Sequence, residues 1–206
     1  MPTRLASCRA GQAALGLPEL APSPGASTME CAQFISGYTW GGIVHAYVKQ
    51  GGAVAPAQSI QLAGFARAGA PPVPADCTSI GTNIGTVVAL DANGVLGVGL
   101  LHEDCGNASA TSAISGTYYA CTGSTCAATQ VSNPVFVFAT DNNGIVLTLP
   151  AVAADGAKSL SGTLTFGIGT QTDNRIASEV QYAADSSGNF TTTDSKVTRV
   201  VRMGLY

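Results

Sequence analysis

Glycine punctuates an apolar run in the middle of the chain, and this spacing limits what the chain can fold into. Asn93-Gly94 is followed by Val95-Leu96-Gly97 and then by Val98-Gly99-Leu100. A glycine where a β-strand would place a side chain indicates that other backbone or a side chain passes very close to it. The run therefore predicts a tightly packed β-strand after an Asn-Gly turn.

Composition favours one domain of short strands and tight turns, with no nucleic-acid or membrane-spanning function. Charged residues make up 10% of the 206 residues and hydrophobic residues 46%, with 25 glycines. The net charge of −3 provides no basic surface for nucleic acid. Because the sequence has no run of eighteen apolar residues, we expect no transmembrane segment.

Alternating apolar and polar residues predict an all-β chain. A first hairpin is predicted from strands at 32–37 and 43–49, with Tyr38 and Trp40 at its tip, and a second turn at 50–52. The clearest hairpin is predicted from strands at 135–140 and 145–149 around the turn at 141–144. Further strands are predicted at 59–63, 86–90 and 159–166.

The two ends differ in composition from the rest. Residues 1–27 are predicted to be a poorly ordered leader, residues 28–193 a β-rich domain, and residues 194–206 an atypical tail. The tail and the two leader arginines, Arg4 and Arg9, hold five of the nine basic residues. The tail is either a solvated extension or out-of-frame or truncated sequence, in which case the chain is a fragment. No apolar core of a signal peptide precedes Cys8, so we expect no export signal in this chain.

The cysteines predict disulfide bonds and an oxidising compartment. The candidates are Cys31, Cys77, Cys105, Cys121 and Cys126, and the short loop between Cys121 and Cys126 is the first bridge expected. The alternative is a zinc site formed by His102, Cys105, Cys121 and Cys126. The four-residue gap between the last two cysteines is looser than a usual zinc knuckle, so we expect no metal and no cofactor.

Several segments, taken in order, resemble a bacterial family known as domain of unknown function 3443. The resemblance covers residues 30–193. It rests on residues 30–41, 93–100, 103–106, 130–135, 139–144, 164–171 and 185–193. A series of consecutive matches in one order is more specific than any single glycine motif.

That family in turn resembles the bilobal aspartic proteases of the pepsin and retropepsin type. The resemblance implies aspartic-protease-like β-barrel lobes that are incomplete at both ends. Tyr38 and Trp40 would then belong to a flap that closes over a ligand cleft, unless they pack on their own sheet. Val95, Leu96 and Gly97 would form the hydrophobic-hydrophobic-glycine step beneath the catalytic aspartate. A peptide or polypeptide ligand is the partner that this resemblance implies.

The sequence departs from the protease pattern at the residues that perform the chemistry. Aspartic proteolysis needs two carboxylates that share one proton, each in an Asp-Thr-Gly or Asp-Ser-Gly turn. Neither tripeptide occurs in these 206 residues, and Asp185-Ser186-Ser187-Gly188 is one residue too long. We therefore expect no catalytic residues and no peptide cleavage by this chain.

Two functions remain open at this point. The first is an exported bacterial protein that resembles an aspartic peptidase but is inactive, from a periplasmic or envelope-associated parent. The second is a disulfide-stabilised binding or structural domain of the cell envelope. The group His102, Glu103 and Asp104 is either catalytic or metal-binding, or part of a solvated loop. His45 is expected to be structural, and Asp141-Asn142-Asn143-Gly144 a hairpin turn rather than a calcium loop.

Overall fold

The computed structural model describes residues 5–7, 16–65, 70–98, 102–104, 117–175 and 200–204. These residues confirm the all-β prediction, because strands dominate and the helices are single turns. The helical turns are α1 (Ala75–Thr78), α2 (Val87–Leu90) and a 3₁₀ turn at Pro134–Val137. The strands are β1 (Leu5–Ser7), β2 (Ala26–Phe34), β3 (Gly37–Gln50), β4 (Ala53–Ala63), β5 (Gly94–Leu96), β6 (Tyr118–Thr122), β7 (Thr125–Ala128), β8 (Gly144–Thr148), β9 (Thr163–Phe166) and β10 (Val200–Gly204). None of the helices in these ranges is long and apolar enough to cross a membrane.

The strands form two sheets. The larger has seven strands in the order β5-β1-β4-β3-β2-β6-β7, and the smaller has three in the order β10-β8-β9. All pairings are antiparallel except that of β1 with β4. Residues 5–7 of the expected leader form β1, and Leu20 donates its N–H to the Ile43 carbonyl at 2.9 Å. Residues 194–199 of the expected tail lie outside the described residues.

The first hairpin forms where it was predicted, but its tip is different. The turn consists of Ile35 and Ser36, so Tyr38 lies inside β3 rather than at the tip. A Cβ on Gly37 would come within 2.3 Å of the Thr82 carbonyl oxygen. Tyr38 donates its N–H to that oxygen at 3.0 Å. The turn is therefore fixed by a distant segment, which local alternation does not show.

The predicted turn at Gly51-Gly52 and the strand at 59–63 are both confirmed, and this strand begins earlier, at Ala53. The predicted strand at 86–90 is wrong, because these residues form α2. The Thr86 hydroxyl oxygen accepts the Ala89 N–H at 3.1 Å and caps the turn. Asp91 then ends it in the left-handed conformation. Side-chain capping has outweighed the β-propensity of the two valines.

The predicted strand at 135–140 is also wrong. Asn133 accepts the Val135 N–H at 3.0 Å through its side chain, and Pro134 begins a 3₁₀ turn. β8 therefore has no partner on the other side of the turn at 141–144. It pairs instead with β9 and β10, which lie further along the chain.

The end of the β3–β4 hairpin packs against the smaller sheet. One buried cluster contains Ala53, Ala55, Val135, Phe138, Ile145 and Phe166. The rings of Phe138 and Phe166 lie 4.8 Å apart. Leu96 and Val98, from the glycine-punctuated run, pack against this cluster. The run therefore lies at the junction of the two sheets.

Candidate functional site

One face of the larger sheet carries an aromatic cluster around a disulfide. Cys31 in β2 is bonded to Cys77 in α1, and both are completely buried. Trp40 lies opposite Cys31 and meets Tyr119 edge-on, with ring centroids 5.6 Å apart. We call the face with Cys31, Trp40 and Tyr119 the aromatic face.

The structure places the two predicted flap residues in this cluster. Trp40 is 4% exposed and Tyr38 is 8% exposed, so both side chains pack on their own sheet. The Tyr119 hydroxyl donates to the Asp76 carboxylate at 2.8 Å and ties α1 to this face. The position of the two aromatics matches the packing alternative rather than an exposed hairpin tip.

The second disulfide joins Cys121 to Cys126 across the β6–β7 hairpin. Thr129 donates its N–H to the Tyr118 carbonyl, so Tyr118 and Thr129 form a hydrogen-bonded pair. Since such pairs alternate along an antiparallel ladder, Cys121 and Cys126 form a non-hydrogen-bonded pair. Their Cα atoms are 4.1 Å apart. Cys105 and Cys8 lie outside the described residues.

The same alternation decides which backbone groups of β7 point away from β6. The N–H and C=O groups of Cys126 and Ala128 point away from β6. β7 is the last strand on its side of the seven-stranded sheet. Its side chains are small and mostly exposed. Among the residues that the structure describes, the sheet therefore ends at β7 in an unpaired backbone edge.

The opposite face of the sheet, which we call the polar face, carries a buried hydrogen-bond chain. The Thr39 hydroxyl donates to Gln61 Oε1 at 2.7 Å, and Gln61 Nε2 donates to the Glu30 carbonyl at 2.8 Å. Glu30, Thr39 and Gln61 are all fully buried. Gly41 in β3 pairs with Glu30 of β2 and with Ala63 of β4. This chain of bonds ties three strands together.

Next to this chain, the predicted group at 102–104 divides into two parts. Asp104 is buried and accepts a hydrogen bond from the Tyr118 hydroxyl. Glu103 instead lies between His102 Nδ1, at 2.8 Å, and the Ser132 hydroxyl, at 3.3 Å. In a Ser-His-Asp triad the histidine lies between the other two. Glu103 orients the ring of His102, and His102 cannot take a proton from Ser132 in this order.

Metal binding finds no support in the part of the chain that is described. No group of three or more His, Cys, Asp or Glu side chains there is arranged to hold a metal ion. In the zinc alternative, Cys121 and Cys126 were two of the four ligands. Both are bonded to each other, so neither offers a thiolate.

The glycine-punctuated step is half-buried rather than central. Val95 and Leu96 lie in β5, and Gly97 follows directly. Gly99 and Leu100 lie outside the described residues. Sequence reasoning missed Thr39, Gln61, Tyr118 and Ser132, because their partners lie far away in the chain and form no local motif.

A family described as "Protein of unknown function (DUF3443)" matches residues 3–201 of this chain. The match includes both disulfides and most of the leader expected at 1–27. No curated protein and no solved structure matches the chain.

Proposed function

This chain belongs to the DUF3443 family, and we propose that it is a disulfide-stabilised β-domain that binds an extended polypeptide without cleaving it. The observation that carries the proposal is the outer edge at β7, which has no partner strand among the described residues. Cys126 and Ala128 present N–H and C=O groups outward at the spacing of alternate residues, which is the pattern that an added strand pairs with.

The edge lacks the devices by which proteins usually prevent strand addition. Such devices include lysine, proline, bulges and inward-pointing charges. The sequence of β7 is Thr-Cys-Ala-Ala, and its register with β6 is regular over all four residues. A four-residue edge strand would ordinarily fray. The Cys121–Cys126 bond holds it against β6, so the edge is ordered before a ligand arrives.

The disulfides also support a location. Disulfides persist in oxidising compartments, and Cys31–Cys77 joins two elements separated by 46 positions. For a bacterial protein, that compartment is the periplasm or the cell envelope. We therefore place the protein there as part of the proposal.

The second candidate is a protein with two aspartic-peptidase-like β-barrel lobes. It is favoured by the packing of Leu96 at the junction of the two sheets, where the resemblance puts the hydrophobic-hydrophobic-glycine step. The chain has no Asp-Thr-Gly or Asp-Ser-Gly tripeptide, so this candidate also predicts binding without hydrolysis here. The two candidates differ in where a peptide lies, since a peptidase-like cleft would not involve β7.

The test is binding of a library of labelled nine-residue peptides that contain no glycine, measured by fluorescence anisotropy. Mass spectrometry of the same mixtures reports cleavage. Ala128→Pro removes one outward N–H without removing a hydrogen bond to β6, so it should abolish binding. Ala128→Val keeps that N–H and is the matched control.

Retained binding by Ala128→Pro would exclude strand addition at β7. Cleaved peptides would exclude the non-hydrolytic function altogether.

A further inference from the structure

Two segments of the chain share a sequence pattern, and the aspartate of each pattern has the left-handed backbone conformation. Residues 87–96 and 137–146 align without gaps and share Val, Ala, Asp, Asn and Gly at equivalent positions. Each contains an Asp-x-Asn-Gly loop, and a strand begins at its glycine. Asp91 has φ of 51° and Asp141 has φ of 57°. Within the described ranges, they are the two non-glycine residues with positive φ.

The strands that follow the two loops are paired in the same register. β5 pairs with β1 so that Gly94 lies opposite Ser7 and Val95 opposite Ala6. β8 pairs with β10 so that Gly144 lies opposite Gly204. Both pairings are antiparallel, and each begins at the loop glycine. Each segment therefore contains a loop, a strand that begins at the loop glycine and one antiparallel neighbour, and we call the two segments the first and the second copy. They differ in that residues 87–90 are helical and that Gly144, but not Gly94, has positive φ.

The second copy also holds an additional segment. β9 pairs with the other edge of β8, and residues 167–171 then fold back over the Asp141 loop. The Asp141 carboxylate accepts hydrogen bonds from the Thr170 hydroxyl and the Gln171 side-chain amide.

The backbone of the same segment is recognised as well. The Asn143 side chain donates to the Ile168 carbonyl at 2.9 Å and accepts the Ile168 N–H at 2.8 Å. Gly167 donates its N–H to the Gly144 carbonyl at 2.8 Å. A Cβ on Gly167 would lie 2.8 Å from Asp141 Oδ1, so this position requires glycine. The loop thus binds a strand followed by Gly-x-Gly-Thr-Gln.

The first copy has the same groups with nothing bound to them among the described residues. β5 is the last strand on its side of the sheet, and its outer edge is unpaired there. Asp91 and Asn93 are exposed, and no hydrogen bond involves either side chain in this part of the chain. The first copy therefore has a carboxylate and an amide at the two loop positions that bind a segment of the chain in the second copy.

We propose that β5 and the Asp91 loop form a binding site for a segment of a partner polypeptide. That segment is an extended stretch followed by glycine, a residue of any kind, glycine, a hydroxyl residue and a carboxamide residue. The partner strand pairs with the outer edge of β5, the Asp91 carboxylate accepts from the hydroxyl and the carboxamide, and Asn93 pairs with the backbone. This site differs in residues and in ligand sequence from the edge at β7, so the two proposals fail independently.

The test uses a labelled peptide with the sequence of residues 163–171, Thr-Leu-Thr-Phe-Gly-Ile-Gly-Thr-Gln, and the full-length protein. Asp91→Gly removes the carboxylate and keeps the positive φ, so the fold is retained. This variant should bind the peptide roughly tenfold more weakly, since two hydrogen bonds to a charged group are lost. A peptide with valine in place of its last threonine should lose affinity for the original protein. Ala128→Pro at β7 should leave this affinity unchanged.

Three outcomes would overturn the proposal. Equal affinity of the original protein and Asp91→Gly would exclude the site. A loss caused by Asp141→Gly instead would show that the peptide replaces β9. Self-association in analytical ultracentrifugation that disappears in Asp91→Gly would make the occupant a second copy of this chain. A circular dichroism melt of each variant checks that it is folded.

Discussion

Gly41 and Leu62 are in closer contact than any side chain at position 41 would permit. A Cβ on Gly41 would come within 2.0 Å of the Leu62 carbonyl oxygen and 2.8 Å of its carbonyl carbon. The obstacle is backbone of β4, which cannot rotate away. Glycine at position 41 is therefore a requirement of the sheet.

Gly41→Ala should destabilise the protein by about 2–3 kcal/mol, because β3 and β4 must separate to accommodate the methyl group. Urea unfolding followed by circular dichroism measures the difference. Gly42→Ala is the matched control in the same strand, since its nearest neighbour would be Met29 Sδ at 3.9 Å. The control should be neutral or slightly stabilising. Equal losses at both positions would contradict the close approach.

Gln61→Leu should destabilise the protein by about 2–4 kcal/mol, because it leaves the Thr39 hydroxyl and the Glu30 carbonyl buried without this partner. Thr39→Val removes only the first of these bonds and should cost less. The double variant should lose less free energy of unfolding than the sum of the two single losses. The difference should be about 1–2 kcal/mol, as expected for residues in contact. A strictly additive double mutant would show that the hydrogen bond does not contribute.

Removing the two disulfides should have unequal effects. By the chain-entropy relation, closing a loop of 46 residues stabilises by about 4 kcal/mol and one of 5 residues by about 2 kcal/mol. The paired replacement of Cys31 and Cys77 by alanine should therefore lower the unfolding midpoint more than that of Cys121 and Cys126. Thermal unfolding of both double variants, at one concentration and pH, makes the comparison.

The two disulfides should also differ in their rates of reduction in the folded protein. Cys31 and Cys77 are completely buried, whereas Cys126 is partly exposed beside the exposed turn at Gly123 and Ser124. Because exchange requires access of a thiolate to sulfur, a mild reductant should open Cys121–Cys126 first. Alkylation and mass spectrometry at successive times identify the released cysteines. Earlier labelling of Cys31 would contradict the burial.

What the sequence predicted correctly depends on neighbouring residues. The turn at Gly51-Gly52 and the strand leading to Ala63 follow from local alternation and glycine. Cys121 and Cys126 lie close together in the chain, so their pairing needed no knowledge of the fold. The all-β class followed from the same local patterns.

What the sequence did not predict depends on contacts between distant segments. The tip of the first hairpin is set by the Thr82 carbonyl next to Gly37, and the turn at Pro134 is set by the side chain of Asn133. The polar chain from Thr39 to Gln61 to Glu30 joins three strands, and no spacing along the sequence shows it. The partners of β8 likewise lie far along the chain.

The Cys31–Cys77 bond also determines how the molecule would respond to mechanical tension. A force applied to the two ends of the chain is transmitted through the disulfide from Cys31 to Cys77. β3 and β4 lie in the loop that this bond closes, so the force by-passes them. While the bond is intact, the 46-position loop cannot extend. The length of the fully stretched chain is then shorter by about 160 Å, at roughly 3.5 Å for each residue. Under stretching, the meander at the centre of the sheet would remain closed while segments outside the loop extend.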